Sequence, residues 1–120
     1  MDDQEKVAPG HLSVNRTDVD GITVLDLRGE IDYQSVGALT RALPPEDPTT
    51  GDRVVVDLSR VTFMDSSGVS ALIAAHQATQ SAQGWLRLAG AGGAVLRTVR
   101  LVGLDAVVTC HPTLREALVP

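Results

Sequence analysis

The chain has 120 residues, 43% of them hydrophobic, and ten Lys and Arg against fifteen Asp and Glu give a formal net charge of −5. That length suits one domain burying roughly two-thirds of the surface of its unfolded chain, and the acidic balance, with Lys6 the sole lysine and the arginines scattered singly, excludes the basic footprint of a nucleic-acid binder. Tyr33, Phe63 and Trp85 are the only aromatics, too few to stack single-stranded bases, and the lone Cys110 excludes an internal disulfide or a cysteine metal cluster.

Residues 1–11 are polar, end in Pro9-Gly10-His11 and predict a flexible tail ahead of a domain spanning 12–118. Asp2, Asp3 and Glu5 are not the start of a secretory signal, and no run approaches the ~20 apolar residues of a membrane span, so a cytoplasmic location is expected. Leu12, Val14 and Arg16 alternate up to Asp18-Val19-Asp20-Gly21, and Ile22, Val24, Leu25 and Leu27 resume the pattern. An acidic-Gly turn between two such runs predicts a β-hairpin whose second strand ends at Gly29. Val36, Leu39 and Leu43 then fall at i, i+3 and i+7, the stripe of a short helix stopped by Pro44-Pro45. The loop from Glu46 to Asp52 is without apolar content.

Arg53-Val54-Val55-Val56-Asp57-Leu58 is a continuous apolar run, as in a parallel strand covered on both faces. A trailing loop leads to Asp65-Ser66-Ser67-Gly68, after which Val69, Leu72, Ile73 and His76 mark a helix running to about Ala82. Trp85–Ala89 predicts a strand, Gly90–Gly93 a turn, Ala94–Leu101 a helix closed by Gly103, and Ala106-Val107-Val108 a last strand. Pro112 falls near the first turn of a final helix that buries Leu114 and Leu118. The order β-β-α-β-α-β-α-β-α gives an α/β fold: a largely parallel central sheet with an antiparallel N-terminal hairpin strand and about four helices.

The junction at Asp65-Ser66-Ser67-Gly68 places two hydroxyls at the amino end of a helix, where an added phosphate would face unpaired backbone N–H groups. Helix capping alone accounts for one of these residues, since Asp and Ser are favoured N-caps. A hydrolase would need a base within hydrogen-bond reach. His76 is about 15 Å along the same helix from Ser66, His11 falls in the tail and His111 near the far edge of the sheet. There is no Gly-x-Ser-x-Gly elbow. His76 reads as a half-buried packing residue, and Cys110 as a small semi-buried one. The histidines lack metal-ligand spacing, and Gly90-Ala91-Gly92-Gly93 lacks the pattern of a nucleotide loop. The sequence therefore predicts no catalytic residue, no metal and no cofactor. A phosphate, with about −1.5 to −2 charges, would be favoured by the helix dipole but stand beside Asp65.

Val54-Val55-Val56-Asp57-Leu58-Ser59 followed by Val61-Thr62-Phe63-Met64-Asp65-Ser66-Ser67-Gly68-Val69 resembles the signature of the STAS domain, in its anti-sigma factor antagonist branch. Gly29-Glu30-Ile31-Asp32 and Val102-Gly103-Leu104-Asp105 resemble two further elements of that branch, and the resemblance covers about residues 12 to 118. It implies a non-enzymatic switch. The bare domain binds an anti-sigma factor that is also a serine kinase of the GHKL type, which frees a sigma factor. Phosphorylation of Ser66 abolishes that binding, and a serine phosphatase restores it. By the same resemblance Asp65 flanks the acceptor and orients its hydroxyl or repels the phosphate. Ser67 and Gly68 shape the helix entry, and Glu30 and Asp32 touch the partner from a neighbouring strand end. No direct nucleic acid or membrane partner is implied. The 44–52 loop is longer than is usual in the family. STAS domains also occur in stressosome proteins and on anion transporters, and a constitutive adaptor that is never phosphorylated is the alternative reading.

Overall fold

The computed structural model describes residues 6–8, 12–43 and 51–119. The strands are β1 (Lys6–Ala8), β2 (Leu12–Val19), β3 (Ile22–Ile31), β4 (Arg53–Met64), β5 (Trp85–Ala89) and β6 (Thr109–His111). The helices are α1 (Val36–Ala42), α2 (Ser66–Ser81), α3 (Gly93–Leu101) and α4 (Leu114–Ala117), with a short 3-10 turn at Leu104–Ala106.

The six strands lie side by side in chain order. β1, β2 and β3 pair antiparallel, and β3 through β6 are parallel. The hairpin forms where the sequence predicts it. Asp20 and Gly21 both take positive φ, 52° and 83°, the pair of left-handed residues a tight two-residue turn requires. Because each parallel strand is added on the same side of the last, right-handed crossovers put α1, α2 and α3 on one face. Leu39, Leu72, Val95 and Val99 from those helices share a core with Leu25, Leu27, Val54, Val56, Leu58 and Leu88.

The other face is covered only locally. α4 brings Ala117, Leu114 and Leu118 against Ile22, Val55 and Ala89. The valine triplet of β4 is thus enclosed on both sides, as its unbroken apolar run predicts, while the far end of β4 is open to solvent at Ser59 and Phe63. Arg87 holds α4 in place. Its guanidinium lies 3.7 Å from the Trp85 ring centroid, and it donates to the Ala117 and Val119 carbonyls, which the end of a helix leaves unpaired. Arg87→Ala is expected to lower stability by about 1–2 kcal/mol and to raise amide exchange in the C-terminal segment first, as hydrogen-exchange mass spectrometry would record.

Four expectations need correction. Lys6–Ala8, assigned to the tail, pair with Val14–Leu12 as an edge strand; residues 1–5 and 9–11 lie outside the described residues, as does 44–50 of the long loop. The loop expected after Leu58 is the second half of β4, which pairs with β3 to Met64 through two register shifts. The shifts change the inward positions from every second residue to Leu58, Val61 and Met64, and that spacing disguises a strand. The last strand is Thr109–His111, not 106–108, because after Gly103 the chain tightens into the 3-10 turn and only Val108 of the apolar run is buried. Pro112 lies beside the first turn of α4 as expected, but the burial in that helix differs. Thr113 is the cap, its Oγ1 accepting from the Glu116 N–H at 3.2 Å, and Ala117 is more deeply buried than Leu114 or Leu118.

Candidate functional site

The register shifts carry the ends of β3 and β4 beyond the rest of the sheet. There Glu30 pairs with Phe63 and Ile31 with Met64, and the Asp65 N–H extends the ladder by one bond to the Ile31 carbonyl at 3.0 Å. Ile31 and Met64 both point into the core. At this projecting corner the chain turns from β4 into α2 and from β3 into α1, so the two loops are neighbours.

Asp65 is the N-cap of α2. Its Oδ1 accepts from the Ser67 N–H at 2.8 Å and the Gly68 N–H at 3.4 Å, while its Oδ2 accepts from the Tyr33 N–H at 3.2 Å. The carboxylate therefore satisfies two donors of the first helical turn and fastens the β3–α1 loop to α2. It makes no hydrogen bond to Ser66 among the described residues, so its observed role is capping, not orienting that hydroxyl. The expectation of unpaired N–H groups waiting for a phosphate also fails for Ser67 and Gly68, because Asp65 already occupies them.

Ser66 is the first residue of α2, exposed, and its hydroxyl makes no hydrogen bond among the described residues. Ser67 is half-buried with its N–H held by Asp65. Gly68 is buried, and its role is close packing. A Cβ there would lie 2.7 Å from Ile31 Cγ2 and 2.7 Å from Met64 Cγ, so the absent side chain lets α2 start directly over the β3–β4 ladder.

The acidic pair is divided in role. Asp32 closes the turn after β3, its Oδ1 accepting from the Gln34 N–H at 3.0 Å and the Ser35 N–H at 2.9 Å. Fully buried Ser35 completes the turn, accepting from the Asp32 N–H at 2.9 Å and donating to the Glu30 carbonyl at 2.7 Å. Glu30 is half-exposed beside Phe63. The corner therefore brings Glu30, Asp32, Asp65, Ser66, Ser67 and Gly68 together, as two adjoining loops.

Sequence reasoning missed the surface position of Tyr33 and Phe63, which are 82% and 45% exposed. Alternation from inward-facing Met64 would have turned Phe63 outward, had residues 59–64 been read as strand. The other chemistry-bearing groups lie elsewhere. His76 is half-buried in α2 with its Nδ1 unpartnered among the described residues. His111 and Cys110 are on the edge strand β6, beside a cleft of about 370 Å³ with Arg100 and Asp105. Burial, and secondarily the charge of Asp105, pushes the Cys110 thiol pKa up, away from reactive thiolate. Among the described residues no group of three or more His, Cys, Asp or Glu could hold a metal, and no helix is long and apolar enough to cross a membrane.

Comparison with known proteins extends over most of the chain. The family model of the STAS domain matches residues 13–117. The anti-sigma-F factor antagonist RsfB of Mycobacterium tuberculosis is 32% identical over 112 residues, covering 92% of this chain and 90% of that protein. The anti-sigma-B factor antagonist of Listeria monocytogenes is 26% identical over 97 residues, covering 81% and 84%. The crystal structure of an anti-sigma factor antagonist from Mycobacterium paratuberculosis superposes with a TM-score of 0.79 at 32% identity, covering 94% of this chain and 96% of that one.

Proposed function

As this chain belongs to the STAS domain family, we propose that it is an anti-sigma factor antagonist, a binding protein and not an enzyme, switched by phosphorylation of Ser66. The observation that carries this reading is the state of the Ser66 hydroxyl: solvent-exposed, free of hydrogen bonds among the described residues, and held at a projecting corner by a cap that uses Asp65 instead. An oxygen so placed is accessible to another protein's active site without local unfolding.

The partner is an anti-sigma factor with GHKL-type serine kinase activity, met in the cytoplasm, and ATP belongs to that partner. The Ser66 oxygen attacks the γ-phosphorus, ADP leaves, and the hydroxyl proton passes to the kinase or to water. A serine phosphatase reverses the modification by hydrolysis. Glu30, Asp32, Ser67 and Gly68 shape the docking corner around the acceptor. The bare corner binds and releases a sigma factor from the partner; the phosphorylated corner does not bind.

Phosphotransfer tests the assignment. Incubation with the cognate anti-sigma kinase and ATP is expected to add one phosphoryl group to the wild type, located by fragmentation at Ser66, and none to Ser66→Ala. Labelling at Ser67 would refute the assignment to Ser66, and no labelling by a kinase that binds the chain would refute the switch and leave a constitutive adaptor.

A further inference from the structure

Two of the chain's three aromatic residues, Tyr33 and Phe63, stand exposed at the Ser66 corner, although aromatic rings are among the side chains most strongly favoured by burial. Their positions are fixed by backbone bonds. The Tyr33 N–H donates to Asp65 Oδ2, which sets its loop against the start of α2. Phe63 sits in the ladder opposite Glu30, one residue before Met64. The stretch from Glu30 to Tyr33 and the stretch from Phe63 to Ser66 therefore run side by side.

Charge around the rings is mostly engaged. The Asp65 carboxylate accepts three backbone N–H groups, that of Asp32 accepts two, and Arg28 pairs with Asp26 at 3.2 Å. Glu30 and Arg60 are the nearby charged side chains without such a partner among the described residues. Exposed aromatics, few free charges and one free hydroxyl match the composition of an interface core.

We infer that Tyr33 and Phe63 are the anchors by which this corner docks its partner, and that the partner offers them apolar sockets instead of a basic patch. The inference rests on the docking proposed above and identifies which side chains carry its affinity. The choice of occupant follows from charge. A basic surface would attract a phosphate on Ser66 by charge-assisted hydrogen bonds, so that modification would tighten the complex instead of releasing it. Apolar sockets closing over both rings would instead exclude water from the hydroxyl beside them. A neutral hydroxyl tolerates that; a dianion does not.

The test is calorimetric titration against the anti-sigma factor isolated on immobilised Ser66→Ala chain and then purified. Wild type, Tyr33→Ala, Tyr33→Phe, Tyr33→Asp, Phe63→Ala and Phe63→Leu are compared, with a thermal melt of each. Each alanine variant is expected to bind at least about tenfold more weakly, with Tyr33→Phe and Phe63→Leu retaining most of the affinity. Tyr33→Ala should melt with the wild type, since its ring is exposed. Alanine variants within about twofold of wild type would overturn the anchor assignment and leave the Ser66 reading standing. Undiminished binding by Tyr33→Asp would identify a basic socket and overturn the apolar one. If Ser66→Ala retains no anti-sigma factor, the functional reading and the inference fall together.

Discussion

Phosphorylation of Ser66 is expected to weaken binding to the anti-sigma factor by at least about 100-fold while leaving the fold of the domain intact. Leaving a buried charge uncompensated costs roughly 3–5 kcal/mol, which corresponds to about 10² or more in dissociation constant. Within the domain the same charge has opposing small effects. The amino end of α2 favours an anion by about 0.3–1 kcal/mol, and repulsion of a dianion by the neighbouring Asp65 carboxylate is about 2 kcal/mol in water. The net loss is about 1–2 kcal/mol, so the melting temperature should fall by no more than about 8 °C. Ser66→Ala should keep close to wild-type affinity. Ser66→Asp, with one charge on a shorter side chain, should fall between. Titration of bare and phosphorylated protein, with a melt of each, checks both halves; equal dissociation constants would end the switch reading.

Gly68→Ala is expected to destabilise the domain by about 1–3 kcal/mol, against the sign of helix propensity. On propensity alone, alanine inside a helix is about 1 kcal/mol better than glycine. Here the added methyl would stand 2.7 Å from Ile31 Cγ2 and Met64 Cγ, atoms of side chains 0% and 2% exposed that have no solvent to turn into. Forcing a methyl into packed core costs roughly 1–3 kcal/mol. Met64→Ala is costly in its own right, but the double variant should lose less than the sum of the two single losses, because the space is then cleared and the two substitutions couple. The push also falls on the first turn of α2, so phosphotransfer to Ser66 should slow in the single variant. Urea denaturation and initial labelling rates measure these effects. A more stable Gly68→Ala would mean that α2 does not press on the β3–β4 ladder.

Much of the site was readable before any tertiary contact was known, because its features are local. Capping residues followed by the Val69-Leu72-Ile73-His76 spacing mark the start of α2, and the position of Ser66 at its first turn follows. The same locality makes the Asp20-Gly21 hairpin and the strand Trp85–Ala89 legible. Asp65 shows where locality ends. Its capping bonds to Ser67 and Gly68 could be anticipated from adjacency, but the third, to Tyr33, joins residues 32 apart in sequence. That bond makes two loops one corner.

The aromatic pair shows the same limit. Phe63 lies in the stretch that reads as a loop; pairing of β4 with β3 makes that stretch strand and turns Phe63 to solvent while Met64 goes inside.

The sequence by itself determined the order of elements from β2 onward, the aliphatic core, the place of the helix start and the hydroxyl it presents, because each depends on periodicity or on backbone donors a few residues away. The tertiary structure alone decided the length of β4, the position of the last strand, the bond from the Tyr33 N–H to Asp65, and the exposure of Phe63. Those depend on strand register, which is set between segments distant in the chain and which one inserted residue is enough to invert.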